Sequence, residues 1–204
     1  DFKPGVDSLE LSGDLTAEDL SFEEKNGNTL VKFKGTGELL AVLEGVTGFN
    51  TDAAIVEQPP EAVTGGEGPD NLVAKPGSSF DGKDDLVNTG AGPDIIDVST
   101  GKGGNDINTG DGDDKATVGS NDFAFGGGGN DLVDASKGKG GNRIYGGDGG
   151  DTAIAGSKDE LFGNEGDDTL EMKGGGNTAG GGAGKDKFVF DLTKGVPAEI
   201  NRIL

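Results

Sequence analysis

Hydrophobic and polar residues alternate through the first fifty positions and then stop alternating. Leu9 and Leu11 fall on one face of a strand over Ser8–Leu11. Thr16 reads as the N-cap of one helical turn ending at Leu20, with Asp19 three residues on. Strands follow over Phe22–Lys25, Thr29–Lys34 and Leu40–Leu43, joined by Asn26-Gly27 and by Gly35-Thr36-Gly37, both turn-forming. A small β-meander with one short helical turn is therefore predicted for residues 1–50. Residues 51–63, which contain Pro59-Pro60, read as a linker.

Residues 64–190 have another rhythm: apolar positions recur about every nine residues, framed by glycine and aspartate. Numbered from Gly65, odd repeats place Leu72, Ile96, Ala116, Val133, Ala153, Leu170 and Phe188 at the apolar position. Even repeats place Leu86, Ile107, Phe125, Ile144, Phe162 and Ala179 there. Two thin sheets packed face to face are predicted. Small Ala116 and Ala153 lie next in sequence to large Phe125 and Phe162, and both phenylalanines read as core. A longer period of 37 residues aligns 89–97 with 126–134 and 163–171, which is two coils per unit. Residues 74–78 interrupt the pattern, and 191–204 form a C-terminal extension.

The repeat unit carries chemistry. Thr109–Thr117 reads TGDGDDKAT, Gly146–Ile154 GGDGGDTAI, Gly163–Glu171 GNEGDDTLE and Gly181–Val189 GGAGKDKFV. Each fits G-G-x-G-x-D-x-U-x, U being apolar, with at most one departure among the glycines. The glycines let a turn tighten and bring backbone carbonyls toward one point, and the aspartate at position six adds a carboxylate. Calcium takes roughly six to eight hard oxygens, more than one turn holds, so two stacked turns would share an ion. Odd repeats carry Asp70, Asp94, Asp114, Asp131, Asp151, Asp168 and Asp186 at position six. Even repeats after Asp84 carry Asn105, Phe123, Asn142, Glu160 and Asn177, so calcium is expected along one edge, with the turn of Asp84 left open as the exception on the other.

Composition agrees and narrows the function. Glycine numbers 42 in 204 residues, hydrophobic content is 31% and net charge is −21. Glycine does not recur every third residue, which excludes collagen. A metal-free chain so acidic repels itself, so folding is expected when cations neutralise the carboxylates. The charge argues against nucleic acid and anionic membrane surfaces. There is no cysteine and no histidine, which removes disulfides, thiolate sites and the Ser-His-Asp triad. No catalytic constellation is visible, and the chain is not expected to be an enzyme. No apolar run is long enough for a membrane span, and no signal-peptide pattern is present.

On these nonapeptides the chain resembles the RTX (repeats-in-toxin) family, over at least half its length. The resemblance implies an all-β fold, a right-handed parallel β-roll with two turns and two strands per coil, here preceded by the meander. It implies calcium as the bound ion, about five or six along one edge. The implied ligands are the seven odd aspartates with backbone oxygens from positions two and four. Those positions are Gly66 and Gly68, Gly90 and Gly92, Gly110 and Gly112, Gly127 and Gly129, Gly147 and Gly149, Asn164 and Gly166, and Gly182 and Gly184. Members are commonly exported unfolded by bacterial type I secretion and fold in external calcium. A secreted or cell-surface module, structural or adhesive, is expected. The alternative is a non-catalytic accessory domain of a secreted RTX enzyme of metalloprotease or alginate epimerase type. Expected partners beyond calcium are further tandem modules of the parent protein or a cell-surface ligand. DFKPGVDSLELSG at residues 1–13 resembles the element that follows the last coil in such proteins, and the chain ends as a roll leading into one. It is expected to be cut from a longer array, or permuted.

Overall fold

A computed structural model describes residues 3, 9–11, 19–49, 55–57, 62–75, 80–193 and 197–204. Most of the expected helical turn at Thr16–Leu20, and part of the interruption at 74–78, lie outside these residues. The chain divides into two compact units, Asp1–Pro59 and Pro60–Leu204.

In the first unit, β1 (Leu9–Leu11) pairs in parallel with β5 (Ile55–Glu57). Strands β2 (Leu20–Lys25), β3 (Asn28–Phe33) and β4 (Leu39–Leu43) form an antiparallel meander. Asn26 and Gly27 both take positive φ, 54° and 76°, so the backbone twist of the turn matches that of the strands it joins. Alternation buries Leu20, Val31 and Leu43 with Val46, and Phe22 stacks on Phe49 at 5.0 Å.

The second unit is an all-β parallel solenoid of about six turns built from two facing sheets. The eight-stranded sheet holds β6 (Ala62–Gly66), β8 (Leu86–Gly90), β10 (Asp106–Asn108), β12 (Phe123–Gly128), β14 (Arg143–Asp148), β16 (Glu160–Glu165), β18 (Thr178–Ala183) and β20 (Arg202–Ile203). The seven-stranded sheet holds β7 (Asn71–Val73), β9 (Ile95–Asp97), β11 (Lys115–Thr117), β13 (Leu132–Asp134), β15 (Thr152–Ala155), β17 (Thr169–Met172) and β19 (Lys187–Phe190). Strands alternate between sheets along the chain, so the odd repeats supply one sheet and the even repeats the other. The solenoid reaches further than the repeat pattern indicates. Residues 62–63, expected in the linker, are strand in the eight-stranded sheet, and β20 draws the C-terminal extension into that sheet beside β18, while residues 55–57, also expected in the linker, are strand of the first unit.

The core lies between the sheets. Odd strands bury Ile96, Ala116, Val133, Ala153 and Leu170, with Leu72 and Phe188 partly covered. A second inward row holds Val98, Val118, Ala135, Ala155 and Met172. The even strands require a correction. Ile107, Ile144 and Ala179 are buried, but the buried residues of β8, β12 and β16 are Val87, Ala124 and Leu161. Leu86 and Phe125 face solvent and Phe162 is half-buried. The expected compensation between Ala116 or Ala153 and a core phenylalanine is therefore absent. In β12 and β16 the even turn is one residue shorter than the template, and in β8, after the interruption at 74–78, the offset is one residue the other way; either offset moves every side chain of a strand to its other face. Phe125, Tyr145 and Phe162 instead form an outward ladder, with Tyr145 stacked on Phe162 at 5.0 Å.

Candidate metal centre

Each strand of the eight-stranded sheet except β20 runs into an odd turn whose sixth residue is the aspartate of the pattern. The turn at Gly146–Asp151 is typical. Gly147 and Gly149 take φ of 121° and 130°, where a side chain is strained. A Cβ on either would also strike the previous turn, 2.0 Å from the Gly127 carbonyl oxygen and 1.7 Å from that of Gly129. Positions two and four of the other turns stack into the same two columns. Asn164 takes φ 81°, which asparagine tolerates better than most residues. Not every carbonyl is available. Those of Gly66, Gly90 and Gly110, at position two, accept amides of the next turn at 2.9 Å. At position four, the carbonyls of Gly92, Gly112, Gly129, Gly149 and Gly166 accept no described backbone amide.

The seven predicted aspartates form one column. The amide of Asp70 donates to Oδ1 of Asp94, and the relation repeats through Asp114, Asp131, Asp151, Asp168 and Asp186 at 2.7 to 3.2 Å. Oδ1 is thus satisfied at each rung from Asp94 onward. Oδ2 is not: in Asp94, Asp114, Asp131, Asp151 and Asp168 it is buried with no hydrogen-bond partner. A buried anionic oxygen left bare is costly. Burial accordingly pushes the Asp131 carboxyl up to about 7 and that of Asp151 up to about 6. Neighbouring carboxylates add to both shifts, and the preceding aspartate's amide opposes them. Asp114 and Asp168 are pushed upward by burial too.

The opposite edge also differs from expectation. Its inward residues are not Asp84, Phe123 and Glu160 but Asp85, Asp122 and Asp159, alternating with Asn105, Asn142 and Asn177. From Asn105 to Asn201 this edge is closed by its own hydrogen bonds. Asp122 donates its amide to Asn142 Oδ1 at 2.9 Å, and Asn142 returns both its amide and Nδ2 to Asp159 Oδ1 at 3.0 Å. Nδ2 of Asn142 also reaches the Gly119 carbonyl. The glycine three residues before each aspartate donates to the other oxygen, as Gly119 does to Asp122 and Gly156 to Asp159. Asn201 ends the ladder by accepting from Asn177. A spacing signal was present. Rungs on this edge are 20, 17, 20, 17 and 18 residues apart, the same series that separates Asp94 through Asp186.

Among the described residues no three carboxylates converge on one point. A cation between odd turns would draw on two carboxylates and on backbone carbonyls. The unpartnered Oδ2 atoms fit that requirement, and an all-oxygen donor set suits a hard cation better than zinc. Fold and site together define a two-sheet parallel β-solenoid with carboxylates paired along one edge and carboxylate–amide pairs along the other. No protein-family model, curated protein or solved structure matches the chain.

Proposed function

We propose that the solenoid is a calcium-binding β-roll module of RTX type, from a secreted bacterial protein, structural or adhesive in role. It completes its folding when it meets calcium outside the cell. The observation that carries this reading is the column of five buried Oδ2 atoms without a donor, from Asp94 to Asp168. Metal-free, rungs such as Asp131 and Asp151 either keep a proton or hold an uncompensated charge. A divalent cation between turns relieves both. The repeat phase, the net charge of −21 and the thin apolar core support the same reading. Circular dichroism and thermal melting in excess chelator, then in millimolar calcium, test it. Gain of β-structure and a large rise in melting temperature with calcium are expected. Magnesium should substitute poorly, because it demands a smaller octahedral shell. Identical melting in chelator and calcium would remove the basis for the proposal.

A further inference from the structure

Position one of the odd turn is not the same residue along the edge. It is glycine at 65, 126, 146, 163 and 181 but threonine at 89 and 109. The difference decides what faces the bare carboxylate oxygens. A Cβ built on Gly126 would lie 2.5 Å from Asp131 Oδ2 and 2.4 Å from the Gly146 carbonyl oxygen. On Gly146 it would lie 2.2 Å from Asp151 Oδ2 and 2.7 Å from the Gly163 carbonyl oxygen. On Gly163 it would lie 2.1 Å from Asp168 Oδ2 and 2.5 Å from the Gly181 carbonyl oxygen. In three consecutive gaps, a buried anionic oxygen and a carbonyl oxygen of the next turn face space that only glycine leaves clear. Two acceptors in a dry recess repel unless something positive stands with them.

In the two preceding gaps the equivalent carbonyls already have a donor. The Thr89 hydroxyl donates to the Thr109 carbonyl at 2.7 Å, and the Thr109 hydroxyl to the Gly126 carbonyl at 2.5 Å. Both threonines are buried, so their side chains fill the recess. Asp94 and Asp114 still carry a bare Oδ2, but the carbonyl that would share a cation with it is committed. In the first gap Gly65 leaves room, yet Asp70 Oδ2 accepts the Gly66 amide at 2.8 Å.

Resting on the reading that this edge binds calcium, we infer that the ions are confined to three gaps: Asp131/Asp151, Asp151/Asp168 and Asp168/Asp186. The hydroxyls of Thr89 and Thr109 replace the ion in the gaps before them. One half of the edge is cation-filled and the other is plugged by neutral side chains.

Equilibrium dialysis of the full chain against calcium chloride, with bound ions counted by atomic emission and native mass spectrometry, tests this. Wild type should hold three ions, and Thr109→Gly should hold four, because the substitution clears a fourth recess. Gly146→Thr should hold two. A misfolded variant loses ions and does not gain one, so Thr109→Gly decides the point. Five or six ions in wild type, unchanged by Thr109→Gly, would overturn the inference and leave the calcium reading standing. Three ions in both proteins would overturn the role of threonine. No bound calcium in wild type would overturn both.

Discussion

The amide of Asp131 donates to Oδ1 of Asp151 at 2.8 Å, while Oδ2 of each carboxylate is buried without a donor. Each carboxylate is half satisfied: one oxygen fixes the register between coils and the other waits for a proton or a cation.

Acid should therefore substitute in part for calcium. Asp131 and Asp151 are raised to about 7 and about 6, against ordinary carboxyl values near 4. A raised pKa means that the folded state binds the proton more tightly than the unfolded chain. The resulting stability is full below about pH 4 and is lost as pH rises to about 7. In chelator, the melting temperature should fall between pH 5 and pH 8. In saturating calcium the slope should flatten, because the bound cation favours the ionised form. A chelated protein whose melting temperature rises over that range would contradict the burial assigned to these groups.

Asp151→Asn should separate stability from binding. An amide at this rung removes a buried charge and supplies an Nδ2 donor, the arrangement that Asn142 adopts on the other edge. Denaturant titration in chelator should show a gain of about 1–3 kcal/mol. Calcium stoichiometry should fall, because Asp151 borders two gaps.

Asn142→Ala should do the reverse. Asn142 is 1% exposed, and its side chain accepts the Asp122 amide and donates to Asp159 and Gly119. Loss of these bonds with groups left buried should cost about 2–4 kcal/mol. The number of bound calcium ions should not change. Loss of ions without loss of stability would place a metal site on this edge.

Leu161→Ala and Phe162→Ala should differ sharply although the residues are adjacent. Leu161 is fully buried between the sheets, and its truncation should cost about 2–5 kcal/mol. Phe162 stacks outward on Tyr145, and its loss should cost about 0.5–1.5 kcal/mol. Urea unfolding in saturating calcium measures both.

The repeat was legible because it has two redundant signals, glycine at fixed offsets and aspartate at position six. They place every odd strand in one sheet with its inward residue named correctly. The same nine-residue template holds for the even turns of Asn105, Asn142 and Asn177 and fails for the turns between them. Gly119 to Asp122 and Gly156 to Asp159 close a turn in four residues through a backbone amide and a carboxylate. Counting nine lands on Phe123 and Glu160 instead. Hydrophobicity then misleads, since Phe125 and Phe162 are larger than the Ala124 and Leu161 that fill the core. The threonines at 89 and 109 looked like ordinary departures from glycine. Their hydrogen bonds exist only once neighbouring coils are stacked.

Alternation of acid and amide from Asp85 to Asn177 works as a parity check on threading. Displace the chain by one coil and aspartate meets aspartate, which sets one buried carboxylate against another. Displace it by two coils and the pairing is restored. Odd errors are therefore rejected along this edge before any cation arrives, and the misassembled forms that persist should be offset by the 37-residue unit.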